Sequence, residues 1–562
     1  MERLGAATSN GIFRNRLLLC LVCFGALELG SFAGAQASSS APDPLLFPKE
    51  DFKLETKTVK TADGEKTVSY QLYQHIPYVT RPVDKEYESL DVKVPVSIDG
   101  VSVQADHAPV LFVVGVGGYM SASNYKQRGP GGPGGPGLPG GPNGPGPFTG
   151  PGGPGGTGGP PSGAFPGAAP GANGTARGPG AIQDLALTAG YVIVAPGARG
   201  RDNKAADGTY YGKAPAAIVD LKAAVRYIRH NKGILPGNMD WIVSSGCSAG
   251  GALSALLGAS GNSPLYELYL KEIGAAEEKD NIFASGCGSP VTDLDHADLS
   301  YEWAFGGSKP RNGAVDPKIS SALKAAFPVY EASLQLQGKD GFGPITVDNL
   351  DAYLVKNYFA PAATEYLLKL PDEQRKEYVE KNAWLKWDGA TAQFSYLDFA
   401  AQHITRMKLA PAFDSLTLRS PENGLFGDKT TDARHFTNFS LQQSAGTPNA
   451  KIEPELQQIV NMMNPMYFTA QQNPGAAQHW WIRHGGIETD SAPTNTVNLA
   501  LGLEKMRRDV NAAIYWDAGH CQDLDPQGFI AWIGKITGYK LQFVWTASRS
   551  RECSEVCLRY GE

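Results

Sequence analysis

The chain has 562 residues, 42% of them hydrophobic and 10% aromatic. That is too long for one ordinary domain of about 100–200 residues and too apolar for wholesale disorder or a fibre. The formal charge of −6 leaves no basic footprint, which sets nucleic acid and anionic membrane surfaces aside as partners. The composition is odd only in its 67 Gly and 40 Pro, and roughly 37 of these fall between Gly129 and Gly180. The repeat keeps no sustained G-x-y register, so collagen is excluded and a disordered, partly polyproline-like insertion within the core is expected over 129–180.

In chain order, Arg14 and Arg16 precede the apolar run LLLCLVCFGALELGSFAGA and the small residues Ala33, Ala35 and Ala37. This pattern reads as a secretory signal peptide over 1–37 and predicts a secreted or periplasmic protein with no membrane association after cleavage. Of seven Cys, Cys20 and Cys23 leave with the leader, and Cys247, Cys287, Cys521, Cys553 and Cys557 remain, in a compartment that permits disulfides. No H-E-x-x-H and no paired C-x-x-C spacing occurs, so no metal is predicted.

Pro109–Val114 (PVLFVV, ending in GVGG) and Tyr191–Ala195 (YVIVA, ending in PGARG) read as buried parallel strands. Pro215 then opens a helix in which Ile218, Leu221, Val225 and Ile228 recur at helical spacing, with Arg226 and Arg229 expected toward solvent. A strand from Trp241 to Ser244 leads through GCSAGG into a compact helix, and the strand His479–Gly485, helix Val497–Arg508 and strand Asn511–Asp517 repeat the rhythm. Between Tyr301 and Tyr467 the texture changes to Lys-, Glu-, Tyr- and Gln-rich helical stretches. The reading is an α/β core over 38–300 and 468–562, interrupted by a mainly helical lid over 301–467.

Gly246-Cys247-Ser248-Ala249-Gly250 fits G-x-S-x-G between a strand and a helix. The glycines permit the strained turn that exposes the Ser248 hydroxyl as a nucleophile, and the Ala249 N–H points to where an oxyanion forms. A second oxyanion donor is expected from the loop after the Pro109–Val114 strand, at Gly117 or Gly118. The acid and the base should follow in that order, in HGGIETD and DAGHCQD. His520 is the natural general base, with His484 its rival. Glu488 and Asp490 are both available as the acid, while Asp517 and Asp523 read as solvated loop residues. Cys247 precedes the nucleophile and Cys521 follows the base, so contact between Ser248 and His520 would bring the two sulfurs together. The alternatives are a loop-locking disulfide or two small buried thiols.

These motifs resemble the tannases, α/β-hydrolases that cleave galloyl esters, in their bacterial lid-bearing type. The carriers are APGARGR (Ala195–Arg201), KAPAAIVDLKAAVRYIR (Lys213–Arg229), GCSAGGALSALLGASGNS (Gly246–Ser263), SPVTDLDHAD (Ser289–Asp298), RMKLAPAFDSL (Arg406–Leu416), SPENGLFG (Ser420–Gly427) and WWIRHGGIETD (Trp480–Asp490). The resemblance implies an α/β-hydrolase fold and a cofactor-free serine esterase acting on small or polymeric galloylated polyphenols. It implies Ser248 as nucleophile and His520 as base, and it puts Glu488 where the family carries Asp. It assigns Lys408, Glu422 and Asp490 to the galloyl hydroxyls and Val291 to the ring's apolar side. Without it, Lys408 and Glu422 read as a surface charge pair. Paired Cys beside Ser and His also occur in fungal tannase and feruloyl esterase relatives, which keeps an aromatic carboxylesterase as the second reading. The Glu488 departure leaves a catalytically silent binding protein as the third.

Overall fold

The computed structural model describes residues 43–125 and 179–543. The leader, most of the Gly/Pro segment, and Cys20, Cys23, Cys553 and Cys557 lie outside the described residues. Pro179 and Gly180, the last two residues assigned by composition to the disordered insertion, instead open helix α1 (Pro179–Thr188).

A ten-stranded sheet organises the chain. Its principal strands are β1 (Lys53–Thr61), β2 (Gly64–Pro77), β3 (Ser89–Ile98), β4 (Val110–Val113), β5 (Val192–Pro196), β6 (Ile242–Cys247), β7 (Ala284–Gly288), β8 (His479–Gly485) and β9 (Asp509–Tyr515), in the spatial order β1-β2-β3-β5-β4-β6-β7-β8-β9. The tenth, Val101–Ser102, pairs with β3. From β5 to β9 every pairing is parallel, whereas β1, β2, β3 and the β3–β5 junction are antiparallel. Four of the five expected strands are present within a residue or two, and the fifth, expected over Trp241–Ser244, runs on to Cys247. The antiparallel leading edge had no counterpart in the sequence reading. Val110, Leu111, Phe112 and Val113 are all buried, as a central parallel strand covered on both faces requires, and each contributes about 1.5–3 kcal/mol by leaving water.

Helix α2 (Ala216–His230) corrects one expectation. Pro215 sits one residue before its first turn, and every residue from Ala216 to Ile228 is buried, so there is no solvent face for its arginines. The Arg226 side chain is 8% exposed and that of Arg229 15%. Arg226 donates to Asp280 Oδ2 from Nε (2.9 Å) and Nη2 (2.7 Å), and Arg229 donates to the Asn281 carbonyl at 2.8 Å. Lys222, fully buried on the same helix, donates to Asp280 Oδ1 at 2.8 Å. Apolar residues at helical spacing identify one buried face, but a charged residue on another face is buried as well when its counter-ion comes from elsewhere in the chain.

The segment between β7 and β8 is mainly helical. Its first helix, α4 (Ala297–Phe305), packs on α5 (Pro493–Lys505) of the core. Aromatic rings join the segment to the sheet: Phe399 lies 5.1 Å from Trp516, next to the end of β9, and 4.8 Å from Trp384. Such pairs stabilise beyond their area by about 0.5–1.5 kcal/mol each. Arg406, wholly buried, is ion-paired with Glu302 on α4, and this pair anchors the chain that carries Lys408. Among the described residues, no helix is long and apolar enough to cross a membrane.

Asp280 is the common counter-ion of two buried cations. Replacing it with Ala is expected to cost about 3–5 kcal/mol in denaturant unfolding, because both cations stay buried without it; a midpoint equal to that of the unaltered protein would contradict this packing.

Candidate active site

Ser248 stands between β6 and α3 (Ala249–Ala259) with φ 60° and ψ −126°. This left-handed, strained backbone is the one a strand-to-helix nucleophile turn demands. The glycines on either side are required by close approach. A Cβ on Gly246 would meet the Gly250 carbonyl oxygen at 2.3 Å, and one on Gly250 would meet that of Val116 at 2.7 Å. The Ser248 N–H donates to the Gly288 carbonyl (3.0 Å), and its own carbonyl accepts from the Val291 N–H (3.5 Å). Ala249 opens α3, so its N–H belongs to the four that have no acceptor within the helix, at the positive end of the helix dipole.

The loop that follows β4 lies against this turn through the Val114 and Val116 carbonyls that border Gly250. Gly118 has φ 56°, and its carbonyl accepts from Arg201 Nε at 2.8 Å; the Gly117 carbonyl accepts from the Met120 N–H at 3.0 Å. The loop is therefore held by its carbonyls, with Gly117 and Gly118 directly after the Val116 that borders Gly250.

His520 follows β9 and Glu488 follows β8. Their separation is 3.3 Å from His520 Nδ1 to Glu488 Oε1, against 3.8 Å to Asp490 Oδ2. The Glu488 side chain is fully buried, whereas that of Asp490 is 42% exposed. Glu488 Oε2 accepts from the Gly485 N–H (3.0 Å) and from the Ser289 hydroxyl. Oε1 also accepts from Ser491 Oγ and lies 3.3 Å from His484 Nδ1. Burial works against the charge on Glu488, but His484, His520 and the Ser289 hydroxyl outweigh it and hold the carboxyl at about 2. Burial likewise opposes protonation of His520, and the hydrogen bond and charge of Glu488, with Asp490, lift it above its ordinary 6.5 despite Lys408 nearby. Burial lowers His484, which is wholly enclosed. The rival histidine, His484, thus stands against the same Glu488 oxygen as His520.

Cys247 and Cys521 form a disulfide with a Cα–Cα distance of 5.8 Å across 274 residues of sequence. It ties the residue before Ser248 to the residue after His520. Cys287 is a buried thiol, pushed up to about 12 by that burial.

Lys408 Nζ donates to the Asp490 carbonyl at 2.8 Å and stands 3.8 Å from the centre of the Phe413 ring. Glu422, on the short helix Pro421–Leu425, is buried, and its Oε2 has no hydrogen-bond partner among the described residues. Lys408 and Glu422 are therefore not a surface charge pair. Tyr119, whose phenol feels the charge of Glu422, donates to the Val291 carbonyl at 3.0 Å, and this ties Val291 to the elbow. Asp517 and Asp523 are each partly buried rather than solvated: Asp517 lies 3.7 Å from His403, and burial raises Asp523.

Comparison with known proteins places this geometry. The BD-FAE family model, a feruloyl-esterase-like domain, matches residues 177–295, which contain the elbow. The tannase of Fusobacterium nucleatum superposes with a TM-score of 0.68 at 32% identity, covering 88% of this chain and 99% of that one. The chain belongs to the tannase family. The tannin acyl hydrolase of Lactobacillus plantarum matches at a TM-score of 0.70 with 30% identity, and a tannin acyl hydrolase in complex with ethyl gallate at 0.69 with 30% identity; each covers 88% of this chain and 99% of the other. Esterase LipC of Mycobacterium tuberculosis is 43% identical over 58 residues, 10% of this chain and 14% of that relative's length. The fold is that of the α/β-hydrolases, and this tannase-family chain is a carboxylic ester hydrolase.

Asp293, Asp295 and His296 bring their polar atoms within 4.8 Å of one another in the same tannase-like SPVTDLDHAD stretch. Their oxygens already accept hydrogen bonds from Asn464 Nδ2 (2.7 and 2.8 Å) and the Tyr330 hydroxyl. Burial disfavours the His296 charge, yet Asp295 and Asp293 raise it to about 11. His296 Nδ1 lies 3.2 Å from Asp293 Oδ1 and 3.4 Å from Asp295 Oδ2, so the imidazole is itself a partner of both carboxylates.

A base must be neutral to accept a proton, so raising the pKa of His520 moves the onset of activity upward. The acid limb of kcat/KM is expected above the ordinary imidazole value of 6.5; a limb below it would contradict the His520–Glu488 contact. Peptide mapping under non-reducing conditions should recover Cys247 joined to Cys521, and two alkylatable thiols there would be the contrary result.

Proposed function

We propose that this tannase-family protein is an exported serine esterase that hydrolyses the galloyl ester bonds of tannins and simple gallate esters. Ser248 is the nucleophile, His520 the base and Glu488 the acid. Ser248 Oγ attacks the ester carbonyl while His520 takes its proton, and Glu488 fixes the imidazole tautomer and stabilises the imidazolium. The developing oxyanion is met by the Ala249 N–H and by that of Gly117 or Gly118. Collapse expels the alcohol, protonated by His520, and leaves a galloyl ester on Ser248. His520 then deprotonates water, which attacks that ester, and the imidazolium returns the proton to Ser248 Oγ as it departs, so that gallic acid, free Ser248 and neutral His520 result. No step calls for a cofactor.

The observation that carries the substrate assignment is the unpartnered, buried Glu422 carboxylate oxygen, close to Tyr119 beside the elbow. A buried acceptor without a donor is costly, and adjacent phenolic hydroxyls would supply donors. The Lys408 ammonium donates to the Asp490 main-chain carbonyl, the Lys408 ammonium and the Asp490 side chain supply further polar partners, and Val291 offers an apolar side. The segment 301–467 acts as the lid that brings Lys408 and Glu422 to the acyl group. The leader over 1–37 supports export, and the disulfide suits an oxidising compartment.

The BD-FAE match favours one second reading, a feruloyl or other aromatic carboxylesterase. Ferulate has one phenol and one methoxy group and would leave part of the polar set unpaired. A site built to bind a hydroxyl rejects an analogue lacking it by as much as about 10⁴–10⁵. Assayed side by side, methyl gallate is expected to give the higher kcat/KM, and Ser248→Ala to abolish turnover of both; a higher value on methyl ferulate would overturn the galloyl assignment. Glu488→Ala should cripple turnover of every ester, whereas Asp490→Ala should hurt gallate esters more than short-chain ones. The reverse pattern would make Asp490 the acid.

A further inference from the structure

Ser289 stands apart from the residues already assigned. It is buried at 4% exposure immediately after β7. Its hydroxyl donates to Glu488 Oε2 and accepts from the Cys521 N–H at 3.2 Å. One oxygen atom, far in sequence from both, thus spans the loops after β8 and β9: it grips Glu488 on one side and the residue after His520 on the other. Its own N–H donates to the Arg483 carbonyl (2.7 Å), which ties it to β8. The neighbouring Gly288 carbonyl holds the Ser248 N–H at 3.0 Å. The turn that carries Ser289 therefore touches all three loops of the Ser248–His520–Glu488 set.

The backbone gives a second, independent observation. Ser289 has φ 40°, a conformation that favours glycine. Three other non-glycine residues at the site share this strain: Tyr119 (56°), Ser248 (60°) and Cys521 (60°). Strain of this kind persists where the surroundings enforce it and gathers at functional centres. If the turn alone mattered, glycine would serve better. A serine there is explained by what its hydroxyl does.

We propose that Ser289 is a positioning residue for the esterase reaction: its hydroxyl fixes the rotation of the Glu488 carboxylate so that Oε1, and not solvent, meets His520 Nδ1. With Oε2 engaged by Ser289 and the Gly485 N–H, the side chain has one oxygen left to turn toward the imidazole. This division accommodates the extra methylene of a glutamate in a site whose relatives are expected to carry aspartate. The inference rests on the reading of Glu488 as the acid in the proposed function.

The test compares Ser289→Ala, which keeps the Cβ, with Ser289→Gly, which suits a positive φ and so protects folding. The groups facing His520 are Glu488, Asp490 and Lys408, and those facing Glu488 are His484 and His520; all remain in both variants. Both are expected to lower kcat on methyl gallate and on p-nitrophenyl acetate alike by about 10- to 100-fold, the worth of one hydrogen bond to a charged group, with KM nearly unchanged. Both should also move the acid limb of kcat/KM to lower pH, because a freed Glu488 no longer supports the imidazolium. A kcat within about twofold of the parent in the glycine variant, or a loss of kcat with an unmoved limb, would overturn the proposal. Glu488→Gln is run in parallel: full turnover by that variant refutes the triad reading itself, whereas loss there with unaltered Ser289 variants refutes only the role of Ser289.

Discussion

The buried charge of Glu488 is the constraint on which the site depends. An isolated carboxylate out of water costs several kcal/mol, and this one is met by the Gly485 N–H, two serine hydroxyls and two imidazoles. The donors come from different parts of the chain, so the anion gathers the turn after β7, the end of β8 and the loop after β9 around itself. It also sets the chemistry of His520, whose raised basicity follows from that neighbour. The turn from Gly485 to Glu488 folds back on itself, with the Glu488 N–H donating to the Gly485 carbonyl (3.3 Å).

Around this centre the structure removes freedom by three means. The disulfide clamps the loops of Ser248 and His520 covalently. The elbow glycines let backbone meet backbone where no side chain fits. The helical segment is held by buried contacts: Arg406 pairs with Glu302 and donates to the Lys408 carbonyl (2.9 Å), and the Tyr301 hydroxyl accepts from the Lys408 N–H (3.2 Å) while donating to the Thr489 carbonyl (3.0 Å). Lys408 is thus fixed at its N–H, its carbonyl and its ammonium before any substrate binds. Preorganisation of this kind makes electrostatic groups effective, since nothing needs to reorient during reaction.

What the sequence made legible is what local pattern encodes. The elbow is a contiguous motif, and its glycines and flanking strand and helix are local signals; β4, β5, β8 and β9 are short apolar runs between turn residues. The antiparallel leading strands were missed because their alternation is interrupted by exposed charge, as along β1, where only Val59 is buried. Arg226 was misplaced because its partner Asp280 lies 54 residues away. Ser289 was invisible for the same reason: the residues its hydroxyl touches are 199 and 232 positions distant. The choice between Glu488 and Asp490, two residues apart, was one that spacing left open and three-dimensional burial bears on directly.

The account stands on the pairing of His520 with Glu488 rather than Asp490. The most direct measurement is an NMR titration of the His520 ring C–H in the parent protein, in Glu488→Gln and in Asp490→Asn. The account predicts an imidazole that titrates above its ordinary 6.5 in the parent and falls further on loss of the Glu488 charge than on loss of the Asp490 charge. A larger fall in Asp490→Asn, or a parent imidazole that titrates below that value, would contradict it.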